Sequence, residues 1–330
     1  MPLNVGLVYD LRSDYTAAGF APEAVAEFDS SETIDALESA IQALGHRVER
    51  VGNARALCAR LVAGARWDLV FNVAEGLYGR SRESQVPAIL EAYNVGYTFS
   101  DPLVCAATLD KAVAKRLVRA GRVRTPRFAV VAGAAGLADI GLRYPLFAKP
   151  VAEGSSKGVS SNSVARDPNA LDAIVESLLR QFHQPVLVEE YLPGREFTVG
   201  ILGAGDGARV LGIMEVAVSD KAGGGVYSYQ TKEQCEKLIR YTLLERGRLR
   251  KRVEKLALAS YRILECRDAA RIDVRCDDRG RPNFIEANPL PGLHPTHSDL
   301  PMIAAKEGVG YTALVGHILE SACRRLGVSL

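Results

Sequence analysis

The sequence predicts an α/β chain of more than one domain, and three observations carry that prediction. The first 100 residues alternate short apolar runs with amphipathic stretches, the order of a parallel sheet covered by helices. The later part holds two segments that read as antiparallel hairpins, with turns at Gly203–Gly207 and Asp277–Gly280. At 330 residues the chain exceeds the usual size of a single domain.

Composition narrows the class. Hydrophobic residues make up 48% and charged residues 24%, enough to build a sizeable core and too apolar for a disordered chain. Lys and Arg number 41 against 39 Asp and Glu, a net charge of +2 that advertises no nucleic-acid groove. No apolar run reaches the roughly 18 residues of a membrane span; the nearest, Phe128–Ala138, is broken by Gly133 and Gly136. No basic region precedes an apolar stretch at the start, so no secretory leader is expected. Cys58, Cys105, Cys235, Cys266, Cys276 and Cys323 are scattered, with no C-x-x-C, and read as free thiols of a cytoplasmic protein.

Element by element, Leu3–Tyr9 reads as a buried strand. Asp29-Ser30-Ser31-Glu32 has the look of a capping box, followed by Ile34, Leu37, Ile41 and Leu44 on one helical face and by Gly45 at the end. A strand is expected over His46–Val51, a helix over Ala54–Ala65, a strand over Trp67–Val73, a helix over Val86–Tyr93 and a fourth strand over Val95–Phe99. The middle reads as a helix over Leu109–Ala120, strands over Phe128–Ala132 and Pro145–Pro150, a Gly/Ser-rich stretch over Glu153–Ser163, a helix over Asp167–Gln181 and a strand over Val186–Tyr191. The rest reads as a hairpin of Glu196–Leu202 and Ala208–Val218, a long loop with Gly223-Gly224-Gly225, a helix over Leu249–Leu264, a hairpin of Asp268–Cys276 and Pro282–Glu286, and a C-terminal helix.

Several common chemistries are absent. There is no G-x-x-x-x-G-K-[ST], no G-x-G-x-x-G after the first strand, no H-E-x-x-H and no G-x-S-x-G. Three clusters remain. In the hairpin Arg271-Ile272-Asp273 and Glu286-Ala287-Asn288, strand alternation brings Asp273, Glu286 and Asn288 together as hard oxygen ligands of the kind Mg²⁺ takes. Lys149 ends an apolar strand ahead of Glu153-Gly154-Ser155-Ser156-Lys157-Gly158, where one charge and several backbone N–H groups could surround phosphates. Glu189-Glu190-Tyr191-Leu192, with Glu196 after the turn, offers an apolar wall and carboxylates for a nucleoside. Each alone also reads as something plainer: a solvated sheet face, a turn, or an exposed acidic loop.

In this order the three clusters resemble the ATP-grasp superfamily and, within it, the D-alanine–D-alanine ligase family. The resemblance covers residues 95–330 in motif order and the first 100 in topology. It implies a three-domain ATP-grasp fold: a Rossmann-like N-terminal substrate domain at 1–105, a central subdomain at 106–188 and a C-terminal subdomain at 189–330. It implies ATP between the last two. Lys111 and Lys149 then match phosphate-contacting lysines. Glu153, Ser155 and Ser156 fall in the flexible loop, Ser155 as a catalytic candidate. Glu189, Glu190, Tyr191 and Leu192 match the adenine pocket and Glu196 the ribose carboxylate. Asp273, Glu286 and Asn288 match the ligands of two Mg²⁺ ions, for which Mn²⁺ is a substitute. Arg271 and Gly292 match the group that stabilises an oxyanion. Tyr227–Lys232 resembles the mobile loop, with Lys232 closing over ATP and Tyr229 facing substrate.

The implied reaction makes an acyl phosphate from a carboxylate and ATP, then an amide by attack of an amine, with release of ADP and phosphate. Small amino-acid-like substrates are implied; the family is often dimeric through its N-terminal domain. The departures fall in the substrate parts. Glu75 stands where the family has a histidine. Arg80 and Arg82 lie where the family is acidic, an arrangement suited to another carboxylate or to a plain surface loop. Ser298 matches the serine that holds the second substrate's carboxylate, but Asp299 replaces a leucine. Two other readings therefore stand beside the first: a ligase of secondary metabolism or cofactor assembly with a substrate other than D-alanine, and a nucleotide-binding sensor without turnover.

Overall fold

The computed structural model describes residues 1–133, 140–218 and 239–329, and three sheets organise them. In the first, β1 (Asn4–Val8) lies between β2 (Arg47–Gly52) and β3 (Leu69–Asn72), all parallel. The expected fourth strand is reduced to one bridge, Val70 to Tyr97. The chain turns away at Phe99, whose φ is 69° and whose N–H donates to the buried carboxylate of Asp268 at 2.8 Å.

A short helix, α1 (Arg12–Ala17), follows β1 where no helix was expected. In α2 (Ser31–Ala43) the cap is Ser30, which accepts from the Thr33 N–H at 3.3 Å, so Asp29 sits one residue outside the helix with its carboxyl unused for capping. Ile34, Leu37 and Ile41 are buried as the periodicity requires, whereas Leu44 lies past the end and is exposed. After α3 (Ala54–Val62) and α4 (Gln85–Ala92) comes α5 (Pro102–Leu109), which was not foreseen, and then the helix expected over Leu109–Ala120, which begins at Lys111 as α6 (Lys111–Ala120). Asp110 separates them. It adopts an extended conformation, and its side chain accepts from the N–H groups of Ala112 and Val113 at 3.0 Å. This caps α6 and starts it on Lys111.

The second sheet is antiparallel, in the order β4 (Phe128–Val131), β7 (Val186–Glu190), β5 (Leu146–Pro150), β6 (Val164–Ala165). Its α7 (Pro168–Phe182) is capped by Asp167 and buries Leu171, Val175 and Leu178 against it. The third sheet is also antiparallel: β10 (Ile239–Leu243), β9 (Arg209–Val218), β8 (Glu196–Leu202), β11 (Ala269–Cys276), β12 (Pro282–Asn288). Both hairpins expected there are present; β10 was not foreseen. One face is covered by α8 (Arg248–Ile263) and α6 through a core that includes Phe197, Tyr261, Ile272 and Phe284.

The expected C-terminal helix is a pair, α9 (Asp299–Lys306) and α10 (Tyr311–Leu326). These pack between the first and third sheets in one core holding Leu7, Leu37, Phe71, Leu300, Ile318 and Leu319. Asp268 pins this junction, accepting from Phe99 N–H, Ser321 Oγ and Arg325, each at 2.8 Å. Among the described residues no helix is long and apolar enough to cross a membrane, and Cys58, Cys105, Cys266, Cys276 and Cys323 are free thiols.

Candidate active site

The hairpin β11–β12 supplies the centre. Antiparallel pairing sets Arg271 opposite Asn288 and Asp273 opposite Glu286, and a register shift beyond Asp273 takes up Ile285. Sequence alternation thus brought the right side chains to one place. Arg271 donates to both oxygens of Asp273, at 3.0 and 2.9 Å, and to Asp299 at 3.0 Å. Asp273 also accepts from Thr198 Oγ1 at 2.9 Å and from the Asn288 amide at 3.3 Å.

Around Glu286 runs a chain of alternating charges. Glu286 lies 3.6 Å from Lys111 and 3.5 Å from Lys149; Lys149 lies 3.5 Å from Glu189; Glu189 lies 2.6 Å from Lys115. Burial opposes ionisation at Glu286, but Lys111, Lys149 and Arg271 outweigh it and hold its pKa down to about 2. Burial is likewise overcome at Glu189, by Lys115 and Lys149, which keep its carboxylate ionised. At Lys115, which is fully buried, burial outweighs Glu189 and draws the pKa down to about 8. Burial pushes Asp273 up, against the pull of Arg271 and with the help of Glu286. The Glu189 carboxylate is therefore committed to lysines.

A cleft opens from this centre between the second and third sheets, lined by Lys111, Phe147, Lys149, Tyr191, Leu192 and Glu196 among others, with Ser155 and Ser156 at its edge. Phe147 and Tyr191 stack at 6.5 Å. Arg275 lies over Tyr191 and holds Glu196 at 3.1 Å. Glu190 is at the rim, 3.7 Å from Arg127. The loop after β5 is built for a tight approach. Ser155, Ser156 and Gly158 have φ of 49°, 57° and 72°, and a Cβ on Gly158 would come within 2.7 Å of Pro150 and 2.8 Å of Phe182.

The loop is also anchored from the first 30 residues. Glu27 accepts from Gly154 N–H at 2.6 Å and from Arg82 at 2.8 Å, and lies 3.4 Å from Lys157. Glu153 pairs with Lys157 at 2.5 Å and accepts from Gln184 at 2.7 Å, while its carbonyl receives Lys111.

A second, roomier cavity of about 810 Å³ meets the first at Lys111, Glu153, Ser155, Arg271, Glu286 and Asp299. Glu75, Asn288, Gly292 and Ser298 line it. The Ser298 hydroxyl accepts from His294 N–H at 2.9 Å and would meet a Cβ on Gly292 at 2.7 Å, so a side chain at 292 would push that hydroxyl from its place.

Two candidate residues are not brought to either cavity. Arg80 is largely exposed and holds Asp110 at 2.5 Å. Arg82 is buried with its guanidinium on Glu27 and on the carbonyl of Ala152 at 3.0 Å. Neither offers a free guanidinium to a substrate carboxylate; both brace the loop and helix that carry Lys111 and Ser155. Lys232 and Tyr229 lie outside the described residues. Conversely Lys115, Arg275 and Glu27 belong to the site and were not singled out from sequence, while Lys157 was read only as part of the Gly/Ser-rich loop and Asp299 only as a departure from the family. For Lys115 a signal existed: four residues from Lys111, it shares that helix face.

Fold and site together define an ATP-grasp enzyme. The family model described as "D-ala D-ala ligase C-terminus" matches residues 137–320. The chain is 34% identical over 264 residues to an uncharacterized protein of Sinorhizobium fredii, covering 78% of this chain and 75% of that one. It is 30% identical over 319 residues to the D-alanine–D-alanine ligase of Chelativorans sp., covering 92% and 95%. It also superposes on the crystal structure of the D-alanine–D-alanine ligase from Bacillus anthracis with a TM-score of 0.75 at 22% identity, over 97% of each chain. The chain belongs to the D-alanine–D-alanine ligase family, ATP-dependent ligases that form C–N bonds. A sensor without turnover is not favoured.

Proposed function

We propose that the two joined cavities bind ATP and two amino-acid-like substrates, and that the chain couples the carboxylate of one to the amine of the other through an acyl phosphate. The observation that carries this reading is the pair Lys111 and Arg271 at the junction of the cavities, with Lys149 in the adjoining cleft 3.5 Å from Glu286, cations gathered where a nucleotide and a small acid could meet. In this reading residues 1–105, 106–188 and 189–330 act as substrate, central and C-terminal domains.

Phe147, Tyr191 and Leu192 form the apolar wall for the base, with backbone groups near Glu189 and Glu190 at its edge and Glu196 on the ribose. Lys111, Lys149 and the backbone of Glu153–Ser156 cradle the phosphates, and Ser155 reaches the junction. Asp273, Glu286 and Asn288 would hold Mg²⁺, or Mn²⁺ in its place. Among the described residues no three His, Cys, Asp or Glu side chains group to bind a metal by themselves. The set is two carboxylates and one amide, hard oxygen donors that suit an ion completing its shell with water and phosphate. When bound, that ion neutralises phosphate charge during transfer.

Lys111, Lys149 and Arg271 orient the donor carboxylate against the terminal phosphate and offset the charge that develops there. Arg271 is held taut between Asp273 and Asp299, so it is in place before the reaction begins. Gly292 and Arg271 then face the oxyanion formed when the amine attacks, and Ser298 receives the acceptor's carboxylate.

Phosphate release from ATP and Mg²⁺, measured against single and paired D- and L-amino acids with products weighed by mass spectrometry, tests this reading. Stoichiometric ADP and a condensed product are expected; ATP hydrolysis without any condensed mass would overturn it.

A further inference from the structure

The part of the larger cavity that does not also line the nucleotide cleft carries an imbalance of charge. Asp29, Glu75 and Glu83 all line it. Glu83 is buried, with 9% of its surface exposed, and none of the three side chains makes a hydrogen bond or ion pair among the described residues. The arginines and the lysine that line the cavity are already engaged, and of its two histidines the side chain of His297 makes only a ring contact with His294 among the described residues. Arg12 donates to the carbonyls of Ala26 and Phe28 at 3.1 Å. Arg271 is held by Asp273 and Asp299, Lys111 by Glu286, and His294 lies against Glu32. Arg82, the cation next along the chain from Glu83, is turned to Glu27.

A buried carboxylate without a partner is costly, and three facing one cavity repel one another. The structure relieves this by holding protons. Burial, then Glu27, pushes Glu83 up to about 7 against Arg82, Lys111 and Lys157. Burial pushes Asp29 up to about 7, with Arg12 opposing. Glu75 is driven upward by burial and then by Glu83 and Glu27. A single α-ammonium group needs one carboxylate, so the other two are surplus to a neutral amino acid.

We infer that Asp29, Glu75 and Glu83 form a recognition site for a second cationic group on the donor, so that the substrate activated here is a basic amino acid and not one with an apolar side chain. The inference rests on the reading of this cavity as the donor site. With the donor carboxylate turned to Lys111 and Arg271, its α-ammonium and side-chain cation are left to the three carboxyls that line the same cavity. Specificity follows from desolvation: a neutral donor leaves two of the three carboxyls without a cation, whereas a diamino acid leaves one.

The test is titration calorimetry on the full chain without nucleotide, using isosteric pairs: lysine against norleucine, and 2,4-diaminobutyrate against 2-aminobutyrate, in both stereochemistries. The cationic member is expected to bind about 10- to 100-fold more tightly, the worth of one charge-assisted hydrogen bond. Glu83→Gln and Glu75→Gln are each expected to shrink that ratio, with circular dichroism confirming that the variants fold. Equal or tighter binding of the neutral member, no binding of either, or a ratio untouched by both substitutions would overturn the inference. Because no ATP is present, these results are separate from the ligase reading, which fails only if ATP turnover yields no condensed product.

Discussion

Replacing Glu286 by glutamine keeps the shape of the side chain and removes one negative charge from between Lys111 and Lys149, which lie 3.6 and 3.5 Å from it. Its pKa of about 2, against an ordinary 4.5, means that the fold favours the ionised form by about 3 kcal/mol. A depressed pKa contributes stability that is fully present above the unfolded value and is lost as pH falls through the folded one. The wild type is therefore expected to exceed Glu286→Gln in urea stability by up to about 3 kcal/mol near pH 7, and the gap should narrow below about pH 4.5 and close towards pH 2. Activity should suffer more. The variant loses an anionic metal ligand and leaves two phosphate-facing lysines without their carboxylate, a loss of the order that removes about 10²- to 10³-fold of kcat. Coupled phosphate-release kinetics at saturating ATP and Mg²⁺ measure this. A variant with wild-type kcat, or a stability gap that does not change with pH, would refute the reasoning.

Three further outcomes follow from the same geometry. Glu27→Ala leaves Arg82 and Lys157 buried without their shared carboxylate and frees Gly154, so unfolding free energy should fall by about 3–5 kcal/mol and the KM for ATP should rise; both are read from urea titration and initial rates. Arg82→Ala should lower stability by a similar amount, about 3 kcal/mol, because its guanidinium is spent on Glu27 and Ala152; a raised KM for an amino-acid substrate with unchanged stability would return Arg82 to the substrate. Asp299→Asn should lower kcat by about tenfold with little change in the KM for ATP, since it slackens Arg271 on one side only; an unaltered kcat would separate Asp299 from the chemistry.

Much of the architecture was legible because it rests on local signals. The alternation of Val5, Leu7, Leu69 and Phe71 in short apolar runs, the Gly203–Gly207 turn and the pairing of Asp273 with Glu286 across a hairpin are all short-range patterns. Boundaries failed where a tertiary partner decides them. Val95–Phe99 gives up its strand because Phe99 turns to Asp268, 169 residues away in the chain. Asp110 moves the start of the helix expected from Leu109 to Lys111 by capping it.

The site divided in the same way. Residues tied to strand periodicity, namely Lys149, Glu189, Arg271, Asp273 and Glu286, could be picked out, because their positions follow from the ladder. The roles of Arg80 and Arg82 could not, since their direction depends on Asp110 and Glu27 in distant segments. Glu27 and Asp299 matter through their partners, Gly154 and Arg271, and no local pattern announces such pairs; Lys115 alone had a local signal, its spacing from Lys111.

The central claim is that a donor carboxylate is activated by phosphoryl transfer at the junction of the two cavities. The most direct measurement is oxygen transfer: the full enzyme turns over ATP with a donor labelled with ¹⁸O in its carboxylate, and the released phosphate is analysed by mass. The account predicts one labelled oxygen in the phosphate for each amide formed, because the carboxylate oxygen that attacks phosphorus leaves with it. Unlabelled phosphate, or label lost only to water, would contradict an acyl-phosphate route.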